Sequence, residues 1–276
     1  MVTLLCPVRG CGAPLAREAG TLRCPRGHAF DLARSGYCNL LQPQDRRSRQ
    51  PGDSPAAAAA RRHLADRGIE QPLIDDLLAA VAALPLPPHP AVLDVGCGEG
   101  ATLGALAGRR EIEAHGLDIS APAIDLAARR YPHATWIVAN ADRALPYAAA
   151  SFSLAMSLAA PRNAAELRRV LAPRGWLLVG VPGADDLIEL REALLGRGDK
   201  RDRLPAALAA LDGGFELVGR HTTRHRALLD AAALDDILAT TYRGARASQR
   251  QRRADLAARG SLEVTLSRDL ACLRVQ

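Results

Sequence analysis

Residues 91–107 read AVLDVGCGEGATLGALA. Ala91–Val95 is a short apolar run set between Pro90 and Gly96, the pattern of a buried parallel strand. Gly96, Gly98 and Gly100 then form a G-x-G-x-G turn, and Ala101–Ala107 predicts a helix. A strand passing into a helix through glycines is the nucleotide-cradling unit of a doubly wound α/β sheet. The glycines let backbone approach a ligand closely.

The run GCGEGA also fits G-x-G-x-x-A, the dinucleotide pattern, which would set a pyrophosphate at the helix N-terminus. Asp94 at the strand end and Glu99 in the turn oppose that reading, because two carboxylates repel a pyrophosphate. They suit a ligand that carries cations. S-adenosylmethionine, with its ammonium and sulfonium, is therefore expected ahead of NAD.

In HGLDIS (115–120) Asp118 lies 24 residues beyond Asp94. An acid at that distance meets both hydroxyls of a ribose. The same loop opens a helix through Ser120 and Pro122, so a capping role competes. Ile119 is placed with the cofactor set. TWIVANADRALPY (135–147) predicts a third strand followed by Asn140 and Asp142, either of which could meet an adenine amino group or simply shape a turn.

Alternation continues downstream. Strands are predicted at 151–158, 176–182, 215–223 and 262–275, and helices at 163–175 and 184–196. Alternating β and α elements imply a mostly parallel sheet with helices on both faces. The proline-rich LPLPPHP (84–90) separates this region from what precedes it.

The N-terminal part has a different character. Cys6, Cys11, Cys24 and His28 follow C-x4-C-x12-C-x3-H. Two glycine-flanked turns presenting two ligands each meet the tetrahedral demand of a structural zinc. Thr21–Arg23 predicts a strand between them, giving a zinc-clipped hairpin. So small a segment builds little core, and the metal would hold it together. Cys38, Cys97 and Cys272 are isolated and read as core residues.

Composition bounds the rest. The chain has 276 residues, 48% hydrophobic and 24% charged, as in a globular protein. No apolar run approaches the roughly 20 residues of a membrane span, and Pro7 breaks the N-terminus too early for a signal peptide. A cytoplasmic location is expected, where thiols stay reduced. The net charge is +6, and residues 1–72 hold eleven arginines against six acidic residues. Arg46, Arg47, Arg49, Arg61, Arg62 and Arg67 concentrate that excess, which could face phosphate or simply solvent.

Together DVGCGEG and GLDIS resemble the class I S-adenosylmethionine-dependent methyltransferases. CPRGHAFDLARSGYCNLLQPQDRRSRQPGDS (24–54), RRHLADRGIEQPL (61–73), APRNAAELRRVLAPRGWLLVGVPGADDLIELREAL (160–194) and the late EVTLSRDLACL resemble the RlmA/RrmA family of large-subunit ribosomal RNA guanine-N1 methyltransferases. The resemblance implies a seven-stranded, Rossmann-like class I methyltransferase domain at 91–276. A zinc-binding RNA-recognition domain at 1–50 and a helical linker region at 51–90 would precede it.

It also implies zinc on Cys6, Cys11, Cys24 and His28, and S-adenosylmethionine on Asp94, Gly96, Gly98, Gly100 and Asp118, beside the Glu99 carboxylate already placed with the cofactor. The substrate would be a 23S rRNA hairpin, in a housekeeping or macrolide-resistance role, and the enzyme a homodimer. Cys6-x4-Cys11 replaces the family's C-x2-C, Ile69-Glu70 stands where a tyrosine is usual, and ATTYRGA (239–245) replaces an MTP-like run.

Methylating N1 of guanine requires loss of the N1 proton to a base or a water chain. Asp142, Pro161 and Asn163 are the positional candidates around the acceptor, with no base assigned. Arg46, Arg47 and Arg49 are expected to grip phosphates. A class I enzyme acting on a small metabolite, or a non-enzymatic zinc-dependent RNA adaptor, are the competing readings.

Overall fold

The computed structural model describes every residue except 47, 49, 159, 161, 212 and 241–249, and of residues 250, 251, 253 and 257 the backbone alone. The chain begins with three short antiparallel strands, β1 (Ala16–Glu18), β2 (Thr21–Arg23) and β3 (Ala29–Asp31), in the order β1-β2-β3. β4 (Cys38–Asn39) follows, then a 3-10 turn at Pro43–Asp45.

Two helices come next, α1 (Pro55–Asp66) and α2 (Gln71–Ala82). α1 starts where Ser54 Oγ accepts the Ala57 amide and Pro55 supplies a preset φ at a position needing no N–H.

The doubly wound region holds β5 (Ala91–Val95), α3 (Ala101–Arg109), β6 (Glu113–Asp118), α4 (Ala121–Arg130), β7 (Thr135–Val138), β8 (Phe152–Leu158), α5 (Ala164–Val170) and β9 (Leu171–Pro182). After it come α6 (Ile188–Leu195), α7 (Leu204–Ala209), β10 (Phe215–Asp230), α8 (Ala231–Thr240), α9 (Arg250–Ala258) and β11 (Ser261–Val275). The large sheet has the order β10-β11-β9-β8-β5-β6-β7-β4. Its pairs are parallel from β9 through β8, β5, β6 and β7 to β4, and antiparallel where β11 meets β9 and β10.

Thus the sheet has eight strands where seven were expected. The eighth, β4, comes from the cysteine-rich segment and adds two residues beside β7, Cys38 against Ile137 and Asn39 against Val138. Two residues carry no periodic signal of their own, so only their pairing reveals them.

Alternate strand residues feed two cores. Leu93, Val95, Leu177 and Val179 enter one with Leu22, Cys38 and Leu40; Val92, Trp176 and Leu178 enter the other with α2, α3 and α4. Cys38, Cys97 and Cys272 are buried, as expected of core thiols.

Three boundaries differ from the sequence expectation. α5 stops at Val170, and Leu171 already starts β9, because Pro173 drives the residue before it into extended backbone. The helix expected at 184–196 begins only at Ile188; Leu187, at φ +50, turns the chain while its N–H donates to Thr265 O. The strand expected at 215–223 runs on to Asp230, in register with β11 throughout apart from a bulge at Leu217/Gly219.

β11 meets β9 only over Arg268–Arg274, so residues 261–267 and their β10 partners project past the sheet as a two-stranded ribbon. A third apolar cluster covers it, with Leu64 of α1, Leu190 and Leu194 of α6, Leu234 and Ile237 of α8, and Val264 and Leu266 of the ribbon.

Candidate cofactor site and zinc cluster

The turn after β5 holds its three glycines in the left-handed region, Gly96 at φ +75, Gly98 at +56 and Gly100 at +83. Their reasons differ. A Cβ on Gly96 would lie 2.4 Å from Ala160 Cβ, and one on Gly100 would lie 2.5 Å from the Trp136 ring. A Cβ on Gly98 would meet nothing within 4 Å. Gly98 therefore faces open space, and its lack of a side chain leaves room for a ligand. Asp118 Oδ2 accepts the Gly98 N–H at 3.0 Å and its Oδ1 accepts that of Ser120 at 2.8 Å, so the acid fixes both loops. The capping role falls to Ser120, whose Oγ accepts the Ala123 amide.

A cavity of about 500 Å³ opens at the carboxyl ends of β5, β6, β8 and β9. Asp53, Glu70, Asp94, Glu99, Asp118 and Asp186 line it, against two guanidinium groups, Arg61 and Arg268. A second cavity of about 280 Å³ shares Gly52, Gly96 and Asp118 with the first and is bounded by Ile119, Asn140 and Asp142.

Asp94 is 2% exposed and its Oδ1 has no hydrogen-bond partner among the described residues. Burial, with the neighbouring Asp118 and Glu99 carboxylates, pushes it up to about 7. Burial also raises Glu99 and Asp118, the latter against the N–H groups of Ser120 and Gly98. Crowded, desolvated carboxylates of this kind await a cation. The orphaned Asp94 oxygen and the open space at Gly98 are the fit expected of a cationic nucleoside ligand.

Away from this cavity, the ligand atoms of Cys6, Cys11, Cys24 and His28 lie within 4.8 Å of one another. Cys6 Sγ and Cys24 Sγ each stand 3.4 Å from His28 Nδ1, and Cys11 Sγ 3.8 Å from Cys24 Sγ. Ligands about 2.1–2.3 Å from a tetrahedral zinc are separated by roughly 3.5–3.8 Å, so the side chains already describe the coordination shell. Four ligands leave no open position, which makes the site structural. The longer Cys6-x4-Cys11 loop still brings both thiols to the cluster, since Cys6 N donates to Ala13 O and Cys11 N to Val8 O.

A family model described as "RlmA, N-terminal" matches residues 4–49, and one described as "Methyltransferase domain" matches residues 92–175. Over 246 residues the chain is 39% identical to the 23S rRNA (guanine(748)-N(1))-methyltransferase of Streptomyces fradiae, an alignment covering 86% of this chain and 83% of that protein. The chain belongs to the RlmA family of methyltransferases.

A second RlmA-type relative, from Micromonospora griseorubida, is 38% identical over 243 residues, 81% of this chain and 80% of its own, and is named for the same guanine-N1 reaction. The fold has neighbours well outside RlmA. A Bacillus halodurans protein described as a methyltransferase superposes with a TM-score of 0.51 at 16% identity, over 72% of this chain and 97% of its own. The class I methyltransferase fold and the N-terminal zinc cluster are thus established, with S-adenosylmethionine as the co-substrate and zinc as the metal.

The remaining candidates divide. In this RlmA chain Asn140 donates from Nδ2 to Asp45 O at 2.9 Å and accepts the Asp142 N–H, so it pins the N-terminal segment across the smaller cavity. Asp142 lines that cavity. Asn163 stands in neither cavity; it caps α5 through the Glu166 amide and reaches back to Asp142 O and Arg143 O. Pro161, Arg47 and Arg49 lie outside the described residues, as does most of ATTYRGA. Arg46 directly follows the 3-10 turn that Asn140 holds.

Arg61, counted with the basic excess by sequence, lines the large cavity and pairs with Asp53 at 2.6 Å. By sequence Glu70 is marked only as part of the Ile69-Glu70 pair that replaces the family's tyrosine; Asp186 and Arg268 carry no signal, because nothing local links the turn after β9 to β11.

Proposed function

We propose that this protein transfers the methyl group of S-adenosylmethionine to N1 of a guanine in a 23S rRNA hairpin. The observation that carries the reading is the carboxylate-rich cavity at the strand ends, held by a chain of this family. Six acids against two arginines favour a ligand with an ammonium and a sulfonium.

S-adenosylmethionine supplies the methyl as an already activated sulfonium. The protein's task is alignment and proton removal rather than covalent catalysis. Asp118 would accept the ribose hydroxyls while keeping Gly98 in place, and Ile119, Asn140 and Asp142 would border the adenine. Asp94 and Glu99 would meet the positive charges. Arg61, tethered by Asp53, is the cation for the methionine carboxylate.

We assign residues 1–50 to RNA recognition. The zinc holds β1 to β3, and Arg46, Arg47 and Arg49 would meet phosphates. A guanine in a stem is out of reach of a closed cavity, so the target is in a loop or is flipped out. Action in the cytoplasm as a homodimer is part of the same proposal.

The test is direct. Purified protein, labelled S-adenosylmethionine and unmodified large-subunit RNA are combined, and the labelled nucleotide is mapped by mass spectrometry. Label on guanine N1 is the expected result. No label on RNA, with zinc in place and the co-substrate bound, overturns it. Light scattering gives the oligomeric state.

A further inference from the structure

The mechanism above leaves one part of the large cavity unused. Besides the glycine turn, the turn between β9 and α6 and strand β11 contribute Asp186, Leu266, Ser267 and Arg268 to its lining, with Glu70 at the start of α2. None of these belongs to the co-substrate set. Asp186 is held rather than loose: its Oδ1 accepts the Ser267 N–H at 2.9 Å, and no described donor holds its other oxygen.

Arg268 has an 18% exposed side chain, and its guanidinium donates no hydrogen bond among the described residues. Among the described residues its ion pair is with Glu70, long at 3.9 Å. A fixed carboxylate acceptor and a largely buried guanidinium with free donors therefore share one wall of the cavity.

That pair is complementary to one nucleobase edge. Guanine presents O6 as an acceptor next to N1–H and the N2 amino group as donors; adenine presents the reverse, a donor at its 6-amino group and an acceptor at N1. With N1 directed at the carboxylate, the guanidinium meets O6 and the carboxylate meets N1–H, whereas adenine in the same orientation would leave both protein groups unpaired.

Building on the proposed guanine-N1 reaction, we propose that Asp186 is its catalytic base and that Arg268 reads O6. The proton on N1 passes to the Asp186 carboxylate. The freed N1 lone pair forms the N–CH3 bond as the S–CH3 bond breaks, and that bonding pair stays on sulfur, leaving S-adenosylhomocysteine. No further reactant is needed.

The surroundings fit the role. Burial pushes Asp186 up to about 6, opposed by the Ser267 N–H, with Glu70 raising it further and Arg268 and Arg191 lowering it. The adjoining Asp185 is engaged with Arg224 of β10. A base near neutrality can both take and release the proton. Glu70 is the weaker candidate, at 49% exposure and already facing Arg268.

The test uses full-length zinc-loaded protein, single-turnover methylation of the mapped RNA, and calorimetry with S-adenosylmethionine. Expected for Asp186→Asn is a roughly 100-fold or larger loss of the methylation rate, with co-substrate affinity and RNA affinity unchanged and partial rescue by Asp186→Glu. Wild-type rate should rise with pH and level off above an inflection near 6, and that inflection should vanish in the variant. Arg268→Gln should weaken binding of the guanine-bearing hairpin relative to the same hairpin carrying adenine.

A rate within twofold of wild type in Asp186→Asn overturns the proposal while leaving the methyltransferase reading intact. So does a wild-type rate that is flat from pH 5 to 8, a readout that stands even where a variant fails to fold. Wild-type protein that binds S-adenosylmethionine but places no methyl on guanine N1 overturns both together.

Discussion

The Leu40 N–H donates to Val138 O across 2.9 Å, so the chain leaving the zinc cluster closes the edge of the central sheet at β7. Leu40 itself is 1% exposed and shares a core with Leu93, Leu117 and Ile137. Farther forward, Leu4 bridges Tyr147, and Glu113 Oε1 accepts the Val2 N–H. The metal-held segment is thus packed along the methyltransferase region rather than hung from it.

Zinc removal should therefore unsettle more than the first forty residues. Cys24→Ser is expected to lose the one zinc per chain read by elemental analysis and to lower Tm by roughly 10 °C, from a cost of about 3 kcal/mol or more. A variant that loses its zinc but melts within 2 °C of wild type would show that the sheet edge is independent of the metal.

The two glycine positions should respond differently. Gly98→Ala places a methyl in open space at a strained φ, costing about 1–2 kcal/mol. With Gly98 in the proposed cofactor cradle, S-adenosylmethionine affinity should fall at least tenfold by calorimetry. Gly96→Ala instead collides with Ala160 and should show its effect first as a lower Tm. Equal behaviour of the two variants would argue against Gly98 as part of the cradle.

Asp94 gives the apoprotein a signed pH dependence. Its carboxyl stands near 7 when folded against 3.8 unfolded. Between about pH 4 and 7 the native state holds a proton that the unfolded chain has released, so this contribution to stability falls as pH rises. The loss is on the order of 2–4 kcal/mol across the window. Asp94→Asn should remove that slope in thermal melts and leave apoprotein at pH 8 more stable than wild type. S-adenosylmethionine should bind wild type more tightly as pH rises through 7, a trend absent in the variant.

Alanine at Arg46, Arg47 and Arg49 together should weaken RNA binding. The slope of log affinity against log salt should become shallower by about 0.7–0.9 for each phosphate no longer neutralised. S-adenosylmethionine affinity should stay the same. An unchanged salt slope would place the RNA-binding surface elsewhere, with the candidate clamp reduced to a solvated arginine run.

Legibility in the sequence followed the range of the interactions involved. The β5–glycine–α3 unit, the Asp118 loop and the four zinc ligands depend on residues close in the chain, and each left a spacing that could be read. The end of α5 and the start of α6 differ from the local pattern because Pro173 acts on its predecessor and because Leu187 answers to Thr265, 78 residues away. Asn163 carried the right residue type for a loop beside a site, yet its Oδ1 serves the α5 cap and its Nδ2 donates back to Asp142 O and Arg143 O. By sequence Arg61 is only part of a basic excess that could face phosphate or solvent, because its partner Asp53 and its cavity neighbours Glu70 and Glu99 meet it only in three dimensions.

What the sequence determined by itself is local: a strand–glycine–helix cradle that needs φ above zero, carboxylates placed for a cationic ligand, and four soft ligands spaced for a tetrahedral metal. What the tertiary structure alone decided is which distant groups share a surface. It paired β4 with β7, set β11 beside β9, and so brought Asp94, Asp186 and Arg268 to the lining of one cavity. No spacing encodes that meeting, because it arises from backbone pairing and apolar burial between segments that have no local preference for one another.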